Sequence, residues 1–485
     1  MRRSTCRHLL ALLVLAVGIF YLATIRPGHD WGGDFALYIA HAMNIAEGRP
    51  YGQTGYIYNP HLPSLAPRTY PPVFPLLLAP VYRCFGLDLT AMKVEVILFF
   101  LLALVAIFLT LEEELPPQYA LATAGLVGLN YYIWGFKDSV LSDLPFLCFT
   151  YLGLLLIRRA YALGRPPSRA GARALLLGAA LYLAYGTRSI GLVLVASLVL
   201  FDLYVYRRPS RFALQAIAVF GGLALLQNLL VHSDRSYLDQ MPLSLETARA
   251  IVANPPGYWE AVVSLCANGY SRGLAVGLAV AVTGLAAAGY LGRLLGKISI
   301  LEVFAPLYLA GVLVWPTSQG TRFLIPVVPV LVFYALAGLR ALVLRVPRAA
   351  RRWAVVALLV VVCGSYLGAY TRLDYGPIRE GVALPASVEL FEWVRTATGR
   401  DDVFIFRKPM VLALYTGRRA AAYHRPAQDQ ALLDYFREIR VSYLVVSNTL
   451  YRDRVYLQGF VERNRGHFQE VYRNADFSVY RFAAG

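Results

Sequence analysis

Apolar residues gather along this chain in runs long enough to cross a hydrocarbon layer as helices, which takes roughly twenty residues each. The first run, 8–24, follows Arg2, Arg3 and Arg7, as in a signal peptide, but no small-residue cleavage site comes after it, so an uncleaved anchor helix is expected. The next, 73–86, is short for a span and carries Pro75 and Pro80, with Pro71 and Pro72 suited to a helix start. It is expected to be an interfacial or re-entrant helix. Further runs follow at 91–111, 118–135, 144–160, 173–187, 189–206, 212–231, 271–292, 299–315, 323–343 and 353–370. With the first helix they give about eleven spans, and so a polytopic α-helical membrane protein.

Two polar stretches interrupt the pattern. In 29–75, two glycines precede Asp34, and Asp34, Tyr38, Ala42 and Ile45 then recur at helical spacing up to Gly48 and Pro50. A short amphipathic helix is expected there. In 232–270, Asp234, Asp239, Pro255, Pro256 and Trp259 predict that no helix long enough to span forms. Hydropathy falls after Tyr370, and strand patterns at 403–406, 420–423, 443–446 and 477–482 alternate with helical ones at 386–397, 409–416, 428–439 and 452–464. The chain is therefore divided into a transmembrane domain over 1–370, including outer loops 26–90 and 232–270, and a small C-terminal α/β domain over 371–485.

Composition agrees with the pattern: of 485 residues, 58% are hydrophobic and only 15% charged, which excludes a soluble enzyme. The net charge of +17 would suit a nucleic-acid binder, but the basic residues sit in short links between apolar runs. Arg2, Arg3 and Arg7, then Arg158, Arg159, Arg165, Arg169 and Arg173, then Arg207, Arg208 and Arg211, then Arg293 and Lys297, and finally Arg345, Arg348, Arg351 and Arg352 fall on one side. Only Lys137, Arg188 and Arg322 fall in the short turns of the other side. The positive-inside rule then puts the N-terminus in the cytoplasm and the C-terminal domain outside, with no nucleic-acid partner. One link, LEEELPP with Glu112, Glu113 and Glu114, is acidic on the basic side. The five cysteines show no C-x-x-C spacing, which leaves at most a Cys84–Cys266 bridge.

Candidate chemistry collects on the outer side. Asp34 is either a solvated helix-capping residue or a carboxylate held for work where a helix leaves the bilayer. In KDSVLSDLPF, Ser142 or Asp143 is either an N-cap or, for Asp143, a second carboxylate that could bind a metal or share acid–base work with Asp34. Arg188 and Arg322, at the outer ends of helices, either snorkel to headgroups or present guanidinium forks to a phosphate. Tyr51, Tyr56, Tyr58, His61, Arg68 and Tyr70 suit stacking on a sugar ring, or form an interfacial aromatic belt. No nucleotide-binding glycine motif is present, which disfavours ATP-driven transport.

Several motifs occur together in a fixed order: D-x-x-x-Y-x-x-x-A…G-x-x-Y at Asp34, Tyr38, Ala42, Gly48 and Tyr51, then Y-P-P-x-x-P-L from Tyr70 to Leu76, S-D-L-P-F from Ser142 to Phe146, R-F-L-I-P-x-x-P from Arg322 to Pro329, and Y-T-G-R…S-V-Y-R at Tyr415–Arg418 and Ser478–Arg481. In this the chain resembles the GT-C integral-membrane glycosyltransferases related to protein O-mannosyltransferases and lipid A aminoarabinose transferases. It departs from them at Phe35, where many relatives have a glutamate after the aspartate. The resemblance implies GT-C architecture in a bacterial-type inner or plasma membrane, and transfer of a sugar from a polyprenyl-phosphate donor to a lipid, glycan or protein acceptor on the extracytoplasmic face. It implies Asp34 as general base with inversion, Asp143 orienting the acceptor or a cation, Arg188 and Arg322 with Lys137 on the donor phosphate, and Tyr38 with the aromatic set on sugar or acceptor. No cofactor is required, and a divalent metal is left open. The competing class is a lipid or solute flippase, which would need polar groups near the midplane of broken helices in paired halves.

Overall fold

The structure, a computed structural model, describes residues 2–162, 170–231, 245–267, 271–316, 318–344 and 347–483. In chain order the elements begin with α1 (Arg3–Ala23), α2 (Gly33–Ala46), β1 (Tyr56–Ile57), α3 (Val73–Phe85), α4 (Leu89–Leu111), α5 (Pro117–Gly128), α6 (Tyr131–Gly135) and α7 (Asp143–Tyr161). Next come α8 (Ala170–Thr187), α9 (Leu192–Tyr206), α10 (Arg211–Leu230), α11 (Leu245–Ala267), α12 (Arg272–Leu294), α13 (Ile300–Val314), α14 (Thr321–Leu324), α15 (Val328–Val343) and α16 (Arg348–Tyr370). The rest are α17 (Pro385–Ala397), β2 (Val403–Ile405), α18 (Pro409–Thr416), β3 (Arg419–Ala421), α19 (Asp429–Glu438), β4 (Tyr443–Ser447), α20 (Gln458–Arg463), β5 (Phe468–Arg473) and β6 (Phe477–Phe482).

These elements form two compact units. The helical unit is made of Met1–Ile25, Lys93–Leu230 and Met241–Tyr375. Among its described residues, seven helices are long and apolar enough to cross a membrane: α1, α4, α7, Ser189–Tyr206, α10, α12 and Thr321–Val343. Helices α12 and α15 approach until a Cβ on Gly289 would lie 2.1 Å from the Tyr334 carbonyl oxygen, and one on Gly338 the same distance from that of Leu285. Only glycine permits this backbone contact.

Two expectations fail here. The run 118–135 is two helices, because the Asn130 side-chain oxygen accepts the backbone N–H groups of Tyr132 and Ile133 and starts α6 afresh. The stretch 232–270 does contain a long helix, α11, which passes through Pro255 and Pro256. Tertiary bonds offset the proline cost: the Asn254 amide donates to the Leu313 and Trp315 carbonyls at 3.0 and 2.6 Å, beside the Tyr258 hydroxyl on Val312. Asp234, Asp239, Arg165, Arg169 and Arg345 lie outside the described residues. Cys84 and Cys266 are both free thiols, so the bridge left open by the sequence is not formed.

The acidic link that looked misplaced serves as counter-charge for the arginines around it. Glu112 takes Arg7 at 2.7 Å, Glu113 takes Arg158 at 2.5 Å, and Glu114 takes both Arg158 at 2.9 Å and Arg293 at 2.5 Å. Arg293 continues to Glu302 at 2.6 Å, where Tyr334 also donates. Guanidinium groups on α1, α7 and α12 are thus joined by the α4–α5 link, with Arg7 and Glu113 at its exposed edge and Arg158, Glu114, Arg293 and Glu302 largely withdrawn from water, where each charge requires a partner.

The second unit is chiefly Arg26–Met92 with Gly376–Gly485. Its sheet runs β1-β3-β2-β4-β6-β5, with β1, β3, β2 and β4 parallel and β6 antiparallel to both its neighbours, β4 and β5. Leu432, Leu433, Phe436 and Phe460 pack on Ile405, Leu444 and Val446 of the strands. The first loop belongs to this unit and not with the spanning helices, where the sequence reading grouped it. Its strand β1 pairs with β3, Asn59 donates to the Ala422 carbonyl at 2.8 Å, and Trp31 lies edge-on to Phe391, Phe406 and Phe477. A two-residue strand is invisible to a periodicity search. The same holds for the pairing that gives β5, which alternates poorly.

Removing Glu114, whose side chain is 9% exposed, leaves two buried guanidinium groups without their shared anion. Glu114→Ala is expected to lower unfolding stability in detergent by about 3 kcal/mol, whereas breaking the exposed Arg272–Glu260 pair with Arg272→Ala costs under about 1 kcal/mol. Denaturant titration of both variants measures the difference.

Candidate active site

The helical unit brings three of the expected residues together. Asp143 opens α7, is 2% exposed, and takes Arg322 Nε at 2.8 Å on one carboxylate oxygen and Arg188 on the other. The capping explanation gives way, since Ser142 occupies the N-cap with no side-chain cap bond and Asp143 is spent on two guanidinium groups. Snorkelling gives way too: the two arginine side chains are only 15% and 20% exposed and both are ion-paired.

Local structure fixes both arginines. Arg188 is extended between α8 and a turn at Ser189–Gly191. That turn folds so tightly on α8 that a Cβ on Gly191 would lie 2.6 Å from the Ala184 backbone. Its guanidinium then rests 5.2 Å from the Phe323 ring. Arg322 starts from Gly320, at φ 58°. Two guanidinium groups thus converge on one carboxylate, and such forks are suited to an oxyanion. Lys137 is fully buried, bonded to Asp138 at 2.5 Å and 3.8 Å from the Trp134 ring.

The second unit gathers most of the first-loop residues. Asp34, half-buried in the first turn of α2, accepts the Tyr70 hydroxyl at 2.8 Å. Tyr70 stacks on Tyr38 at 4.4 Å, and the Tyr51 hydroxyl donates to the Tyr70 carbonyl at 2.8 Å. Tyr58, Arg68 and His61 form a separate group: Arg68 lies 5.2 Å from the Tyr58 ring, and His61 stacks on His424 at 4.4 Å. The departure at Phe35 has a packing reason, since its fully buried ring stacks on His29 at 3.7 Å.

Sequence reasoning missed His41, Lys408, Lys93 and Glu95. His41 is fully buried, donates from Nδ1 to the Tyr51 carbonyl at 2.8 Å, and accepts the Tyr70 N–H on Nε2 at 3.3 Å. It ties the two tyrosines to α2 and must be neutral to do so. Lys408 sits at the N-cap of α18, after β2, where it feels Asp30, Glu380 and Asp34; burial, then Arg407, pulls its pKa down. Lys93, 1% exposed, and Glu95 lie within α4. Ionisable groups inside an apolar run are a signal the sequence did carry. Among the described residues no three of His, Cys, Asp and Glu gather to hold a metal ion, so no step is assigned to one.

Comparison with known proteins places the fold. No family model matches the chain, and no curated protein matches it. Solved structures do. The chain is similar to ArnT from Cupriavidus metallidurans bound to undecaprenyl phosphate, at 17% identity over 98% of this chain and 98% of that one, with a TM-score of 0.57. It is similar to the oligosaccharyltransferase AglB from Archaeoglobus fulgidus in complex with an inhibitory peptide and a dolichol-phosphate, at 13% identity over 96% and 73%, TM-score 0.60. It also spans 41% of the mycobacterial arabinofuranosyltransferase AftD, at 16% identity and TM-score 0.54. The fold is that of the GT-C glycosyltransferases, as the order of motifs led one to expect.

Burial pushes the pKa of His41 down to about 4. An unfolded histidine takes up its proton near 6.5, so between these values the unfolded chain binds the extra proton. Stability is full above about pH 6.5 and declines as pH falls toward 4, by about 3 kcal/mol at roughly 1.4 kcal/mol per pH unit. Denaturant unfolding across this range is expected to show a shallower decline in His41→Gln.

Proposed function

We propose that the chain is a membrane glycosyltransferase that moves a sugar from a polyprenyl-phosphate donor to a lipid, glycan or protein acceptor on the extracytoplasmic face. The observation that carries the reading is the meeting of two guanidinium groups, Arg188 and Arg322, on the one carboxylate of Asp143, in a chain whose fold is shared with ArnT bound to undecaprenyl phosphate. AglB, in complex with a dolichol-phosphate, lends the same support for a lipid-linked donor.

In this reading Asp34 is the general base. An acceptor hydroxyl or amine attacks the anomeric carbon, its proton passes to the Asp34 carboxylate, and the bond from that carbon to the phosphate oxygen breaks. The bonding pair leaves with the phosphate, and attack from the opposite face inverts the centre. The Tyr70 hydroxyl donated to Asp34 directs the carboxylate that takes the proton. Arg188 and Arg322 stabilise charge building on the leaving phosphate, with Asp143 as the positioning residue that holds the fork. Tyr38, Tyr51 and Tyr70 flank Asp34 and would face the sugar or acceptor.

Asp34→Asn is expected to fold and insert but lose transfer by about 10²–10⁴-fold, the usual contribution of a positioned base. Arg188→Ala and Arg322→Ala should each raise the donor KM or lower kcat by roughly tenfold or more, the scale of one lost charge-assisted hydrogen bond. The assay follows labelled sugar from a synthetic polyprenyl-phosphate donor into envelope glycolipid and glycoprotein. Wild-type rates in Asp34→Asn would remove Asp34 from the base role, and labelled lipid crossing vesicles without glycoside formation would favour a flippase.

A further inference from the structure

The α/β unit holds a second polar aromatic cluster, apart from the Asp34 hydrogen bonds, around Tyr56, Tyr58, His61, Arg68, His424 and Tyr435. Topology makes it. Strands β1 and β3 are parallel neighbours, so the chain leaves their carboxyl ends side by side, into Tyr58–His61 from β1 and into Tyr423–His424 from β3. The bond from Asn59 to the Ala422 carbonyl clamps the two exits together. In open α/β sheets, ligands bind beyond the carboxyl ends of parallel strands.

The rings enclose polar atoms with nothing to bond. His61 stacks on His424 and lies edge-on to Tyr435 at 5.9 Å, and His424 lies edge-on to Tyr435 at 5.3 Å. Beneath them the Tyr56 hydroxyl, the Tyr435 hydroxyl and His424 Nδ1 are withdrawn from solvent without a hydrogen-bond partner. Tyr435 is 3% exposed, and the Tyr56 hydroxyl is close enough to Tyr435 and Tyr58 to feel their charge. Folded proteins keep few such groups, and three together at strand ends call for an explanation. The exposed His61 ring is the cover: an exposed side chain changes rotamer freely, and its departure uncovers His424.

We propose that this cluster is a saccharide-binding subsite that takes the glycan part of the acceptor. That it serves the acceptor rests on the transferase reading; that it binds a saccharide does not. A tyrosine hydroxyl both donates and accepts, and an imidazole nitrogen does either according to tautomer, so the three atoms match a pair of neighbouring sugar hydroxyls. The faces of Tyr58, His61 and Tyr435 offer the apolar platform that a pyranose or furanose ring presents its C–H groups to. Arg68, exposed over Tyr58, adds a charged donor at the rim.

The test is saturation-transfer NMR of the full chain in nanodiscs with mannotetraose, cellotetraose, arabinotetraose and a galacturonate trimer. At least one is expected to bind with Kd of roughly 1 mM. His424→Ala and Tyr435→Phe should each weaken it tenfold or more, while Arg272→Ala, at an exposed pair outside both sites, leaves it unchanged. Tyr435→Phe keeps the ring and removes an unbonded hydroxyl, so the Tm of the sugar-free protein should hold or rise, which a purely structural tyrosine would not combine with lost binding. No binding of any of the four to the wild type, or unchanged affinity in both variants, overturns the proposal. Because the assay uses no donor and no turnover, it can fail while transfer is intact, or succeed while the transferase reading fails.

Discussion

A guanidinium group withdrawn from water must find an anion, and that requirement organises the helical unit. Asp143 answers it for Arg188 and Arg322, bonded across sequence separations of 45 and 179 residues. Glu114 answers it for Arg158 and Arg293. In both places one carboxylate from a helix end or link draws together cations from helices far apart in the chain. The two differ in make-up. Around the Glu112–Glu114 link the acids, with Glu302, outnumber the arginines they meet. At Asp143 two guanidinium groups share one carboxylate, and cations held in place by packing and ring contacts, as Arg188 is over Phe323, are what an oxyanion site requires.

The α/β unit depends on a neutral group instead. His41 joins the Tyr51 carbonyl to the Tyr70 N–H, and only the tautomer with its proton on Nδ1 can do both. Around that ring, Tyr51, Tyr70 and Tyr38 are fixed in sequence, and Tyr70 in turn directs one oxygen of Asp34. The carboxylate proposed as base is therefore oriented by a chain of bonds whose anchor is neutral, with its Nε2 lone pair already taken by the Tyr70 N–H and so not open to the proton that Asp34 accepts. Phe35 fits the same economy: its place is filled by stacking on His29, and a single acid remains at the head of α2.

Joining the first loop to the C-terminal segment through β1 and Asn59 puts residues more than three hundred positions apart on one sheet edge. Two consequences follow from that one pairing. Helix α2, with Asp34, packs on α18, so close that a Cβ on Gly33 would meet Met410 at 2.4 Å. The strand exits of β1 and β3 also become neighbours, which creates the His61–His424 cluster that neither segment has alone.

The sequence by itself determined what depends on neighbours along the chain. Hydropathy gave most of the long apolar helices, though seven and not eleven of those described are long and apolar enough to span, alternation gave β2, β3, β4 and β6, and the ends of apolar runs singled out Asp34, Asp143, Arg188 and Arg322 as candidates. These are local signals, repeating every 3.6 or 2 residues. Tertiary structure alone decided the partners: that Asp143 is an ion-pair centre instead of a cap, that Lys137 turns to Asp138, that α11 survives its two prolines, and that His41 outranks the tyrosines it holds. An ion pair or a two-residue strand takes its energy from groups brought together by folding, and no period along the chain encodes which groups those will be.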